Sequence, residues 1–300
     1  MKDVQLTPPI AEALAGILSR FPEVAGLSVT LLGSGTDHHA FDAGGRFVFR
    51  VPRSAEAASG GERERRLTSM LAPRLPLAIP LHRFVVGPSE RLPFGASGYE
   101  RLPGEPALRR GAELPRRREV AHVLGVFLRA LHDVDVLVAA EAGAPPDDDP
   151  TREEWSAQAI EDVARARGDG LIDAAMAAAL QGYLRVAPAG AYRPALVHGD
   201  LAAEHVLLDA AGSISGVIDW SDAMIGDPAL DLAGLFHWGG AEMLSEALET
   251  YGGCGAETVA RARWFAACRA VADIVFGVDE GKPDYVAAGQ HALLHAGPER

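Results

Sequence analysis

The chain has 300 residues, 48% of them apolar, with a net charge of −13 and two cysteines. That length fits one bilobal protein or two domains with a sizeable core, and the acidic balance argues against nucleic acid as the main partner. Cys254 and Cys268 are too few for a disulfide framework, the N-terminus MKDVQLTPP has no signal-peptide core, and no apolar run reaches the roughly 18 residues that span a membrane, so a soluble cytoplasmic protein is expected.

Residues 9–20 read as a short amphipathic helix with Pro9 near its start. Three β-prone runs follow at 27–33, 38–43 and 46–52, separated by Gly-Ser-Gly and Gly-Gly turns. Residues 55–72 have helical spacing, with Leu67, Met70 and Leu71 on one face. Two more candidate strands lie at 82–87 and 97–103. After Gly104 the pattern becomes helical, at 116–132, 151–167 and 171–186, with a loop at 144–150. Short strands recur at 195–197, 205–209 and 213–219, and the chain from Pro228 onward is mostly helical. The fold class is therefore α+β: a β-rich lobe over 1–103 with one main helix, a hinge at about 98–105, and a mostly α-helical lobe over 104–300.

The chemistry concentrates in VHGDLAAEHVLLD, residues 197–209. His198, Asp200 and His205 could ligate zinc, but the chain has no HExxH run to supply a water-activating glutamate. Phosphoryl transfer fits better. It needs a carboxylate at the acceptor hydroxyl and two ligands for magnesium. Asp200, His205 and Asp219, at the end of the run SISGVID, keep the order and nearly the spacing of the catalytic Asp, the Asn and the second-loop Asp of protein kinases. His205 stands where kinases use Asn. Imidazole nitrogen is not a preferred magnesium ligand, so it could coordinate directly, act through water, or favour manganese.

In the first lobe only Lys2 is available as a lysine, against 26 arginines in the chain. Arg50, in the strand FVFRVP, is placed to take the phosphate-binding role of the kinase strand lysine, because guanidinium binds phosphate bidentately. Its helix partner would be Glu64, with Glu62 as the runner-up. Gly33-Ser34-Gly35 is a weak phosphate-loop signal, here placing Ser34 beside the nucleotide, and no mononucleotide P-loop sequence is present. The stretch Gly98–Gly104 would present hinge backbone at Tyr99, Glu100 and Leu102 to a purine edge.

The residues HGDLAAEHVLLD and GVIDWSDAMIGDPALDLA resemble the antibiotic-kinase superfamily of aminoglycoside and macrolide phosphotransferases. A histidine at position 205 narrows the resemblance to the macrolide 2'-kinases and the 2''-aminoglycoside kinases. The stretches 218–231 and 279–289 look most like the macrolide branch. The resemblance implies a bilobal kinase-like fold and a monomer. It implies transfer of a γ-phosphate from GTP, or ATP, with Mg2+, to a small-molecule antibiotic, most simply the 2'-hydroxyl of a macrolide amino sugar. The alternatives are a 2''-type aminoglycoside kinase and a non-catalytic pseudokinase. It also implies supporting roles for His198, Asp227 and Asp231, with Asp227 capping the helix that starts at Pro228. Trp220, Phe236 and Trp238 are the candidate apolar walls of the acceptor site, beside Asp200.

Overall fold

The computed structural model describes residues 3–298 apart from Thr36 and 111–115, with side chains from Ile10 onward; Lys2 lies outside the described residues. The chain divides into two compact units. One is Met1–Pro73 with Ile79–Leu102; the other is Arg74–Ala78 with Pro103–Arg300. Both cysteines are free. Among the described residues no helix is long and apolar enough to cross a membrane.

The first unit holds α1 (Asp3–Leu18), β1 (Val29–Ser34), β2 (His38–Ala43), β3 (Phe47–Pro52), α2 (Ala55–Leu71), β4 (His82–Val86) and β5 (Ala96–Glu100). The helix expected from Pro9 thus begins six residues earlier. The strands form one antiparallel sheet in the order β1-β2-β3-β5-β4. The period-two alternation of β3 turns Phe47, Phe49 and Val51 into the core, with Phe41, Phe84, Leu14 and Leu18. The Phe84 ring sits edge-on to Phe47 at 5.3 Å. Arg50 points from the opposite face of β3, where Glu64 of α2 meets it. Ser54 starts α2 by accepting the Ala57 N–H at 3.1 Å.

The second unit holds β6 (Glu105–Pro106), α3 (Arg117–His132), α4 (Val136–Glu141), α5 (Glu153–Gly168), α6 (Ala174–Leu184), β7 (Ala195–Val197), β8 (Val206–Leu208), β9 (Ile214–Val217), β10 (Met224–Gly226), α7 (Ala229–Tyr251), α8 (Ala256–Asp279) and α9 (Pro283–Ala296). The sequence reading missed α4, β6 and β10. All three are short, and β6 and β10 exist only by pairing with a distant strand. β6, β8 and β9 form one small antiparallel sheet, and β7 with β10 forms another.

This pairing positions the chemistry. Val197 pairs with Met224, and Val206 pairs with Val217. The β7–β8 loop and the β9–β10 loop are therefore clamped at both ends and run side by side. The first carries residues 198–205 and the second carries Asp219. Helix α7 crosses directly behind them. A Cβ at Gly234 would lie 1.7 Å from the Leu201 carbonyl oxygen, so only glycine permits this approach. Past the loops α7 bends at Gly239 and Gly240, the latter at φ 67°.

Candidate active site

The β7–β8 loop is held from its backbone. Asp231, in the first turn of α7, is fully buried. Its carboxylate accepts the main-chain N–H of His198 at 2.9 Å and of Gly199 at 3.0 Å. His132, closing α3, bonds the same carboxylate at 3.0 Å and is itself fixed by the Tyr251 hydroxyl at 2.9 Å. Burial alone would raise the pKa of Asp231. The donors at His132 and His198 outweigh it and hold the group below the ordinary carboxylate value.

His198 is also fully buried, packed against Trp220 with ring centroids 4.7 Å apart and the planes inclined at 60°. Its Nε2 donates to the Ile218 carbonyl at 3.1 Å, and its Nδ1 receives the Asp200 N–H at 3.3 Å. Burial, the largest influence, lowers its pKa, so the ring is neutral and ties the two loops together. A Cβ at Gly199 (φ 82°) would lie 2.3 Å from the Asp222 carbonyl oxygen, so glycine is required where the loops touch.

Asp200 keeps a side chain that is 32% exposed. Its Oδ1 lies 2.6 Å from Nη2 of Arg269 on α8, and its Oδ2 lies 3.4 Å from Nδ1 of His205. The Arg269 guanidinium also reaches Glu204 at 2.8 Å, and that charge brings the buried Glu204 carboxyl down to about 2 against the upward push of burial. Neither Arg269 nor Glu204 was singled out in the sequence. The available signal was the lone charge in the apolar helical run AACRAVA, which demands a buried acidic partner.

Asp219 sits at φ 63°, a left-handed conformation that aspartate tolerates better than most residues. Its Oδ1 accepts the Ser221 hydroxyl at 2.9 Å, and its Oδ2 lies 3.9 Å from Nε2 of His205. His205 Nδ1 donates to the Asp200 carbonyl oxygen at 2.7 Å. Burial works against a charged His205, but the carboxylates of Asp200, Glu204 and Asp219 prevail and raise its pKa. Among the described residues no cluster of three or more His, Cys, Asp or Glu side chains is arranged to hold a metal alone. The donor chemistry of Nε2 of His205 and Oδ2 of Asp219, 3.9 Å apart, is compatible with two ligands of a divalent cation. A ligating histidine ordinarily donates its other N–H to a carbonyl, as His205 does, and magnesium ordinarily takes its remaining ligands from phosphates and water.

The other second-unit candidates divide. Asp227 accepts the Ala229 N–H at 3.0 Å at the start of α7 and receives Nε of Arg261 at 2.6 Å in full burial. Trp238 borders a cavity of about 180 Å³ shared with Leu108, Ala203, Glu204, Ala287 and Asp284. Trp220 and Phe236, expected as acceptor walls, are corrected by the structure. Trp220 is 1% exposed, wedged between His198 and Phe127, and its Nε1 donates to the Val217 carbonyl. Phe236 is 4% exposed and faces a different groove, beside Met176 and Leu293. Trp264 and Phe265 are core residues too.

In the first unit, Nη1 of Arg50 lies 2.7 Å from both carboxylate oxygens of Glu64, which is 3% exposed. Ser34 bonds Nδ1 of His39 at 2.8 Å. Tyr99 packs edge-on against His82, and Glu100 pairs with Arg83 at 2.5 Å. Glu100 stands opposite Phe47, with the bond from Arg101 N–H to the Arg46 carbonyl just beyond. That is the non-bonded position of an antiparallel ladder, so the main chain of Glu100, and by alternation that of Leu102, turns away from β3. On that side β4 has already ended, because its first residue, His82, pairs with Tyr99.

Residues 28–265 match the phosphotransferase enzyme family, APH. The chain belongs to that family. Viomycin phosphotransferase of Streptomyces vinaceus is 35% identical over 98 residues, 32% of this chain and 34% of that protein, so the chain matches about a third of that relative's length. The GDP and kanamycin complex of an aminoglycoside 2''-phosphotransferase superposes with a TM-score of 0.73, at 24% identity, over 94% of this chain and 97% of that one. Macrolide 2'-phosphotransferase type I superposes at 0.64, with 29% identity, over 94% and 96%. These likenesses show the kinase-like fold, with an antiparallel-sheet unit and a mostly helical unit, and the family match places the chain in the phosphotransferase enzyme family.

Proposed function

We propose that this phosphotransferase moves the γ-phosphate of GTP, or ATP, to a hydroxyl of a macrolide, most simply the 2'-hydroxyl of its amino sugar. The carrying observation is the charge balance of the cavity beside the β7–β8 loop. Its acids do not stand alone: Glu204 is matched by Arg269, and Arg109 lines the same cavity as Asp284. Ala203, Trp238 and Ala287 supply apolar wall. Such a lining suits an acceptor with one amine beside a hydroxyl better than one carrying four or more ammonium groups. Its volume is below that of sites enclosing a whole drug-sized ligand, so only the sugar would enter.

In this reading Asp200 orients the acceptor hydroxyl and receives its proton. Asp219 and Nε2 of His205 would hold Mg2+, which would supply charge neutralisation on the phosphates. In the first unit Arg50, braced by Glu64, is the phosphate-binding cation, and the outward main chain at Glu100 and Leu102 reads the purine edge. Catalysis is then mostly positioning and electrostatics. The test is transfer of labelled γ-phosphate to erythromycin and to kanamycin, with GTP and with ATP. Transfer to erythromycin is expected. Transfer to kanamycin alone would replace the substrate class, and binding without transfer to any acceptor would turn the reading to a pseudokinase.

A further inference from the structure

Arg269 lies on α8, outside every recognised motif, with its side chain 16% exposed. Its Nη2 reaches Oδ1 of Asp200 at 2.6 Å and Oε1 of Glu204 at 2.8 Å, residues four apart on the same loop. Its Nε is buried with no hydrogen-bond partner. The Nη2 group donates a hydrogen bond to Glu204 and makes a close ion pair with Asp200, so one guanidinium holds both carboxylates. A guanidinium kept among acids and away from water stays charged, and a buried polar atom left unsatisfied costs stability. A helix that needed only packing here would gain from an alkyl side chain. The arrangement makes sense when the position of the Asp200 carboxylate matters.

The two oxygens of that carboxylate are unequal. Oδ1 is taken by Arg269. The proton on Nδ1 of His205 is committed to the Asp200 main-chain carbonyl at 2.7 Å, and Oδ2 lies farther off, at 3.4 Å. Oδ2 is therefore the oxygen with spare acceptor capacity, on a side chain that water and substrate can reach.

We propose that Arg269 is the positioning residue of phosphoryl transfer: by engaging Oδ1 of Asp200 it sets the carboxylate so that Oδ2 meets the acceptor hydroxyl. This rests on the kinase reading above and is independent of which antibiotic is the acceptor. Arg269 touches neither phosphate nor acceptor in this role. Binding of nucleotide should not depend on it, whereas the turnover step should, since misplacing a reacting group by about 1 Å costs about 100-fold.

The test uses full-length protein carrying Arg269→Gln, Arg269→Lys or Arg269→Ala, with the best acceptor from the panel. For Arg269→Gln, kcat is expected to fall about 100-fold while the nucleotide Kd, by calorimetry, stays within about twofold. Arg269→Lys keeps a charge but loses the planar fork, and about a tenfold loss is expected. In Arg269→Ala, millimolar guanidinium should restore at least part of kcat where equal sodium chloride does not; a merely structural role predicts no such rescue. If Arg269→Gln does not fold, the lysine variant carries the comparison. Unchanged kcat in the variants would overturn the proposal. So would a nucleotide Kd that weakens in step with kcat, which would mean direct phosphate contact. A wild-type chain that phosphorylates no acceptor would sink the kinase reading, and this inference with it; a wild type with turnover and indifferent variants would sink this inference alone.

Discussion

His205 Nδ1 lies 2.7 Å from the main-chain carbonyl oxygen of Asp200, five residues earlier. A carbonyl can only accept, so Nδ1 carries the proton and Nε2 is left facing Asp219. The histidine that departs from the kinase pattern is thereby held in the tautomer a metal ligand needs. An asparagine would offer amide oxygen instead, the donor magnesium prefers. His205→Asn should therefore shift metal preference, lowering the ratio of turnover with Mn2+ to turnover with Mg2+ by about tenfold. Steady-state rates with each metal check this, and an unchanged ratio would remove His205 from the coordination sphere.

Asp231 braces the β7–β8 loop, and its loss should show as instability. Its fully buried carboxylate accepts two main-chain N–H groups and faces His132. Asparagine would present an NH2 group to at least one of these donors. Asp231→Asn should cost about 3 kcal/mol at pH 7, read by urea unfolding. The pH dependence has a definite sign. The folded-state pKa lies below the ordinary 3.8, so Asp231 contributes its stability above that value, and loses it as pH falls through the lower folded value. Wild type should lose stability in that acid window, and the variant should lose less. Parallel curves would show that the brace carries no linked proton.

Much of this site was legible in residue order. The spacing of Asp200, His205 and Asp219 survives because short strands clamp both loops, and strand patterns are local. Arg50 was legible through alternation: β3 sends its phenylalanines one way and its arginine the other. Arg269 was not, because its partners lie 65 and 69 residues earlier and only the packing of α8 brings them together. The aromatic walls were misread for a related reason. Composition identifies Trp220, Phe236 and Trp238 equally, but register decides which face meets the core. Trp220 follows Asp219 directly and is turned inward onto His198, while Trp238 alone reaches the cavity by Glu204.

The crossing of α7 over the β7–β8 loop allows a sharp contrast between two helical glycines. Gly234 has no room for a Cβ, whereas Gly16, on α1, has nothing within 4 Å of one. In Gly234→Ala the clash falls on a main-chain carbonyl that cannot swing aside, so α7 or the loop must move. We expect a stability loss above about 2 kcal/mol together with lost turnover. Gly16→Ala should gain about 0.5–1 kcal/mol, with turnover unchanged, because alanine costs less entropy in a helix. Thermal unfolding of the two variants decides it, and a Gly234→Ala protein as stable as wild type would show the contact to be looser than drawn.

The ion pair of the first unit separates Glu64 from its sequence rival Glu62. Glu64 is 3% exposed and sits 2.7 Å from Arg50, while Glu62 is exposed on the solvent side of α2. Removing one partner of a buried pair strands the other charge, which costs more than the pair itself is worth. Arg50→Ala should therefore destabilise the protein by about 3 kcal/mol and weaken nucleotide binding. Glu64→Gln frees Arg50 from its anchor without removing its charge. It should raise the nucleotide Kd about tenfold, with a smaller loss of stability. Glu62→Gln should change neither quantity beyond about 0.5 kcal/mol, as surface substitutions usually do. Calorimetric titration with GTP and urea unfolding of the three variants test the assignment, and an effect of Glu62→Gln equal to that of Glu64→Gln would defeat it.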